Sequence, residues 1–260
     1  LSGKLIMSQI IDSPRVAIIT GASRGIGAAI ALLLAHHKYK ICINYNKNQL
    51  AAQDIVQQIE EIGGAAIAVQ ADVADEEQIV RMFDIVDKEL GLIHALVNNA
   101  GILFPQTSVE NLTAVRINQI LQTNVTGTFI CCREAIKRMA YKNGGAGGSI
   151  VNISSRAAVL GSPHEYVDYA ASKGAIDTIT TGLALELADQ GIRVNAVRPG
   201  IIYTEMHASG GEADRVERLK SKIPMQRGGY PNEVAEAVYW LLSEKASFTT
   251  GSFIDVAGGR

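Results

Sequence analysis

Thr20-Gly21-Ala22-Ser23-Arg24-Gly25-Ile26-Gly27 is entered from the apolar run Val16-Ala17-Ile18-Ile19 and left through a helical segment, Ile26 to Ala35. A buried strand, a glycine turn and a helix N-terminus in that order make an anion site. Glycine lets the backbone approach a pyrophosphate, and the free N–H groups of the first helical turn point at it. The glycines fall at 21, 25 and 27, so the spacing is not G-x-G-x-x-G, and no Gly-Lys-Ser/Thr follows as in a phosphate-binding Walker loop.

From this turn the pattern continues as alternating strands and helices. Lys40–Tyr45, Ala65–Gln70, Ile93–Val97, Ser149–Ile153, Ile192–Val197 and Ser252–Val256 read as further strands. Helical periodicity covers Gln49–Ile62, Asp75–Leu90, Thr113–Tyr141, Asp168–Asp189 and Glu233–Leu242. Units of this spacing make a parallel sheet covered on both faces, and right-handed crossovers favour a doubly wound α/β fold. Residues 1–14 read as an N-terminal extension, with Met7 as a candidate natural start. Residues 15–260 read as a single domain. Within it, 201–229 breaks the pattern as a substrate-side loop or lid. Its run Glu212–Lys222 is open to two readings, a solvated helix or a mobile cover.

Composition limits the function. The chain has 260 residues, 26 acids against 24 Lys plus Arg, and 47% hydrophobic residues. That suits a full core and argues against nucleic acid as partner. No apolar stretch approaches ~18 residues, so no membrane span is expected. Cys42, Cys131 and Cys132 form no disulfide framework, which reads as reduced thiols in a cytoplasmic protein. The five histidines form no compact ligand set, so no metal is expected.

The chemistry is carried by an ordered set of polar residues. Tyr169 and Lys173, at i and i+4, share one helix face. Ser155 follows the fifth strand and Asn124 lies within the long helix before it. A ketone gains negative charge on oxygen as hydride reaches its carbon. Tyrosine can donate the proton there, and a nearby ammonium lowers its pKa from ~10. Ser155 can donate to the substrate oxygen, and Asn124 can hold a water linking Lys173 to solvent. Tyr169 is then general acid in reduction and general base in oxidation.

Together these stretches resemble the short-chain dehydrogenase/reductase family from Val16 to Gly259. The resemblance implies a Rossmann-type, mostly parallel seven-stranded sheet in the order 3-2-1-4-5-6-7. Thr20 to Gly27 matches the cofactor loop, with Thr20, Gly21, Ser23, Arg24, Gly25, Ile26 and Gly27 expected at the cofactor. Asn98-Asn99-Ala100-Gly101 matches the cofactor-side wall, giving Asn98, Ala100 and Gly101. Asp72-Val73 is assigned to adenine, although a capping acid is an equal reading of Asp72 by residue type. Pro199-Gly200 with Ile202 and Thr204 matches the loop beside the nicotinamide. Asn124, Ser155, Tyr169 and Lys173 match the catalytic positions, with Tyr169 and Lys173 also touching cofactor. Fourteen residues separate Ser155 from Tyr169, one more than the family spacing, and Ser154 is an adjacent alternative. His164 and Tyr166 in the extended loop read as substrate contacts or plain loop.

The cofactor expected is NADP(H). Tyr45-Asn46-Lys47 ends the second strand without an acid, and none occurs from Ile41 to Leu50. Arg24 and Lys47 can meet a 2′-phosphate. The activity expected is hydride transfer to or from a neutral small-molecule carbonyl or secondary alcohol. The alternatives are a 3-ketoacyl-thioester reductase, or a non-catalytic nucleotide sensor or scaffold. The resemblance further implies a homotetramer, with a dimer as runner-up.

Overall fold

The structure, a computed structural model, describes residues 14–260. Residues 1–13 of the expected N-terminal extension, Met7 among them, lie outside the described residues. Seven strands form one sheet in the order β3-β2-β1-β4-β5-β6-β7, and every neighbouring pair is parallel. The strands are β1 (Val16–Ile19), β2 (Lys40–Tyr45), β3 (Ala65–Gln70), β4 (Ile93–Asn98), β5 (Gly148–Ile153), β6 (Ile192–Pro199) and β7 (Phe253–Val256). The expected doubly wound order and strand positions are found.

The strands are apolar without interruption because both faces are covered. Side chains alternate between two cores all the same. Ala17, Ile19, Ile41, Ile43, Val97 and Val151 face α1 (Gly25–His36), α2 (Gln49–Glu61) and α10 (Pro231–Leu242). Val16, Ile18, Cys42, Leu96, Ile150 and Val194 face α3 (Glu76–Glu89), α5 (Gly127–Met139) and α7 (Val167–Leu187). Cys42, Cys131 and Cys132 are free and buried. Burial holds Cys42 and Cys132 up at about 12, so these thiols pack rather than react.

The expected single helix over Thr113–Tyr141 is interrupted. Thr113 caps α4 (Ala114–Leu121), a π turn occupies Gln122–Thr126, and α5 ends at Met139. The π turn inserts Asn124, which is buried. The irregular 201–229 segment holds two short helices, α8 (Met206–Ser209) and α9 (Arg215–Leu219). The solvated-helix reading of Glu212–Lys222 fails at Arg215, Val216 and Leu219, which are buried. A further one-turn helix, α6 (Ala157–Leu160), follows β5. Among the described residues no helix is long and apolar enough to cross a membrane.

Gly127 shows how closely α5 meets the end of β3. A Cβ there would sit 2.4 Å from the Val73 carbonyl oxygen. Helix propensity alone favours alanine over glycine by ~0.8–1 kcal/mol, whereas overpacking against fixed backbone costs ~1–3 kcal/mol. Gly127→Ala is therefore expected to be net destabilising in urea unfolding. A stabilised variant would show that α5 and the Val73 peptide can separate freely.

Candidate active site

A groove of about 500 Å³ opens over the carboxyl ends of β1 to β4, where ligands sit in open α/β sheets. The β1–α1 turn contributes Gly21, Ser23, Arg24, Gly25 and Ile26 to its walls. The end of β2 contributes Tyr45, Asn46 and Lys47, and the end of β3 contributes Asp72 and Val73. Ala100 and Gly101 come from the β4 turn and Thr204 from the segment after β6.

The other expected cofactor residues shape the groove from behind. Thr20 is buried, and its Oγ1 accepts from the N–H groups of Asn99 and Ala100, both at 3.0 Å. A Cβ on Gly27 would lie 2.6 Å from the Gly21 carbonyl oxygen, so α1 begins too close to the turn for a side chain. The Asn98 side chain turns into the core, donating to Asn152 Oδ1 at 2.9 Å and to Cys132 Sγ at 3.2 Å. Pro199 is the buried end of β6, and Gly200 packs against Ala257. Ile202 is buried and lines a separate cavity beside Ile223 and Gly258. None of these six residues lines the groove itself.

Two amides tie these turns together, and of the two Asn44 went unassigned in the sequence. Asn44 Oδ1 accepts from Gly21 N at 3.1 Å while its Nδ2 donates to the Ala71 carbonyl at 3.0 Å. Asn99 Nδ2 donates to the carbonyls of Thr20 at 2.8 Å and Gly21 at 2.9 Å. The signal for Asn44 is a buried-strand position, between Ile43 and Tyr45, filled by a polar residue.

The groove floor fits a pyrophosphate. Gly21 and Gly25 have φ of 61° and 55°, conformations that favour glycine. The first turn of α1 carries no acidic side chain, and Arg24 makes no capping bond. Its N–H groups are therefore left to an anion. Asp72 Oδ1 accepts from Ala74 N at 2.9 Å, whereas Asp75 caps α3. Among the described residues no group of three or more His, Cys, Asp or Glu is arranged to hold a metal.

Asn124, Ser155, Tyr169 and Lys173 gather beyond Gly101. A Cβ on Gly101 would lie 3.5 Å from Asn124 Oδ1 and 3.6 Å from Lys173 Nζ. Tyr169 lies in the first turn of α7, whose start is fixed by Asp168. That carboxylate accepts from Tyr169 N at 2.9 Å and from Arg116 Nε at 2.7 Å. Lys173 Nζ lies 5.6 Å from the Tyr169 ring centroid and donates to the Ile153 carbonyl at 2.7 Å. Ser155 acts on the Tyr169 hydroxyl, drawing its pKa down, while its Oγ accepts from Ala157 N at 3.1 Å. Ser154 is instead buried, with its hydroxyl on Asp177 at 2.6 Å.

The Asn124 side chain is engaged within the protein. Its Nδ2 donates to the Ile102 carbonyl and to Ser172 Oγ, both at 3.0 Å, and its Oδ1 accepts from Ile102 N at 2.8 Å. With both donors used, the side chain ties the β4 turn to α7. Electrostatics depart from the expectation. Desolvation pushes Tyr169 up to about 12, outweighing the opposing effect of Ser155, so the phenol is protonated through neutral pH. Desolvation likewise pushes Lys173 down to about 8, against the pull of Asp177. Burial, not the ammonium, sets the phenol in this state.

The chain is similar to known oxidoreductases over nearly its whole length. The family model described as enoyl-(acyl carrier protein) reductase matches residues 21–260. A protein of Escherichia coli (strain K12) named uncharacterized oxidoreductase YgfF is 66% identical over 245 residues, 94% of this chain and 99% of the relative. Glucose 1-dehydrogenase 2 of Bacillus subtilis (strain 168) is 37% identical over 245 residues, 94% of each. The solved structure of a short-chain type dehydrogenase/reductase from Mycobacterium marinum matches with a TM-score of 0.89, at 34% identity over 95% of each chain. The chain belongs to the short-chain dehydrogenase/reductase family. It is accordingly a hydride-transfer oxidoreductase of small molecules that uses a nicotinamide cofactor.

The buried lysine has a thermodynamic signature. A folded-state pKa near 8 lies below the ordinary 10.5, so between these values the unfolded chain binds more protons and stability rises with pH. The cost of burying the charge is complete below pH 8 and corresponds to about 3 kcal/mol. The stability of Lys173→Met relative to the unmutated protein should therefore be greatest near pH 7 and fall toward pH 10.5, as followed by urea unfolding. A difference independent of pH would mean that Lys173 does not titrate in this window.

Proposed function

We propose that this chain transfers hydride between NADP(H) and a neutral carbonyl or secondary alcohol, with Tyr169 as the proton donor and acceptor. The observation that carries the reading is Lys173 Nζ 5.6 Å from the Tyr169 ring and beside the groove wall at Gly101, with Ser155 acting on the same phenol. Bound nicotinamide supplies or takes the hydride. Ser155 holds the substrate oxygen beside the phenol, and Tyr169 gives its proton to that oxygen in reduction. Lys173, as an ammonium, stabilises the phenolate left behind. A phenol kept protonated by burial is suited to donation. Asn124 acts by position, holding Ile102 and Ser172 in place.

The preference for NADP(H) is supported by charge around the end of β2. Arg24, Tyr45, Asn46 and Lys47 line that end of the groove, and among the described residues neither cation is paired with a carboxylate. On the substrate side, Leu103, Pro105 and Tyr166 meet Gly210 and Gly211. Arg215 and Arg218 are engaged by Glu165 and Glu212. That pairing favours an uncharged substrate over an acyl carrier needing basic docking residues. We treat 15–260 as one catalytic domain with 201–229 as its substrate-side cover. A homotetramer is supported by exposed Val115 and Phe129 on α4–α5, Leu185 on α7, and Trp240 and Phe248 near β7. A cytoplasmic location accords with the reduced thiols.

Tyr169→Phe should retain cofactor affinity and lose ~10²–10⁴-fold in turnover of carbonyl substrates. Turnover equal to the unmutated protein would remove Tyr169 from the chemistry. Arg24→Ala should weaken NADPH roughly 10-fold or more, through loss of a charge-assisted contact, and leave NADH little changed. Calorimetric titration of both cofactors measures this. Equal losses would assign Arg24 to the shared pyrophosphate, and tighter NADH binding by the unmutated protein would overturn the preference.

A further inference from the structure

Beneath the reacting groups lies a carboxylate that the chemistry above does not use. Asp177 is four residues beyond Lys173 on α7, so the two share a helix face. Ser154 Oγ donates to Asp177 Oδ1 at 2.6 Å, with the Lys173 carbonyl at 3.3 Å. Arg198 of β6 reaches Asp177 Oδ2 through Nε at 3.0 Å and Nη2 at 2.8 Å. Both side chains of this pair are mostly buried, at 15% and 17% exposure.

The same network continues around the serine segment. Arg198 stands 3.8 Å from Asp255 of β7. Arg156, the residue after Ser155, donates to Asp255 and to the carbonyl oxygen of Arg260. The backbone N–H groups of Ser154 and Arg156 donate to the carbonyls of Val197 and Pro199, at 2.8 and 3.0 Å. Ser155 is thus held between two anchored neighbours, one of which hangs on Asp177.

We propose that Asp177 is a positioning residue for the reaction: it pins Ser154, and so the backbone carrying Ser155, to α7, and it keeps the Lys173 ammonium charged. The inference rests on the reading of Tyr169 and Lys173 given above. The groups around Lys173 make the electrostatic half specific. Helix α7 presents Tyr169 and Asp177, and β6 presents Arg198 behind Asp177. Strand β5 and its extension present the Ile153 carbonyl and the Ser154 hydroxyl, and the turns at Gly101 and Asn124 present no charge. Asp177 is the carboxylate acting on Lys173 among the described residues. A buried ammonium has lost its hydration and depends on such a partner to stay charged. Arg198 has the opposite sign of effect, since its pairing with Asp177 offsets the carboxylate charge that Lys173 meets.

That opposition gives a test that a purely structural role would fail. The Lys173 side-chain titration can be followed by NMR of ¹³C-lysine-labelled intact protein, assigned with Lys173→Met, alongside the pH profile of kcat/KM. Asp177→Asn should lower the Lys173 midpoint by roughly one pH unit and move the alkaline limb of kcat/KM down with it. Asp177→Glu, which keeps the charge, should restore most of both. Arg198→Met should move the midpoint up. Should Asp177→Asn fail to fold, the glutamate and Arg198 variants still report the two signs. An unchanged midpoint in Asp177→Asn, or shifts of the same direction in Asp177→Asn and Arg198→Met, would overturn the proposal. The NMR midpoint is read without turnover, so an error in the role of Tyr169 shows separately, as activity retained by Tyr169→Phe.

Discussion

The site depends on two turns meeting at the carboxyl edge of adjacent strands. β1 is flanked by β2 on one side and β4 on the other, so the chain leaves in opposite directions at this edge. The turn after β1 and the turn after β4 then close on each other. A Cβ on Gly21 would stand 3.0 Å from Ala100 Cα. Such an approach leaves backbone polar groups without water, and they must be paired within the protein. Thr20 and Asn99 supply those bonds reciprocally, and Asn44 ties in the end of β2. Loosening this knot would move the phosphate side and the Gly101 wall together.

The apolar strands were legible because parallel pairing makes them long runs, and the glycine turns because few residues tolerate their backbone. The order of Asn124, Ser155, Tyr169 and Lys173 was legible because each lies within or just after a recognisable element. What the sequence did not reveal was direction. Asn98 and Asn99 are neighbours on an extended strand end, where consecutive side chains point to opposite faces. Asn98 enters the core and Asn99 clasps the turn. Ser154 and Ser155 divide in the same way. Nor could residue type show that burial dominates Tyr169 and Lys173, since desolvation depends on everything packed around them.

The 201–229 segment was the least legible because its contacts are long-range. Glu165 and Arg215 are 50 positions apart, and neither lies in a periodic element that would predict the pairing. Arg215 also stacks beneath Tyr166, whose hydroxyl donates to the Gly210 carbonyl at 3.1 Å. The loop with the extra residue is therefore part of the seat for the 201–229 segment. A mixed-sign run of residues reads as solvent-facing only while its partners are unknown.

The π turn at Gln122–Thr126 limits how the chain length can be edited. Each helical residue adds a rotation of about 100°. Helix α4 before the turn directs Arg116 to Asp168, at the foot of the Tyr169 helix, while α5 after it directs Arg138 to Asp84 and Asp87 on α3. Removing one residue would mend the helical hydrogen bonds and rotate one of these faces out of phase with the other. The local irregularity is thus what allows one continuous rod to serve two neighbours whose bearings differ, and a more regular helix would serve only one of them.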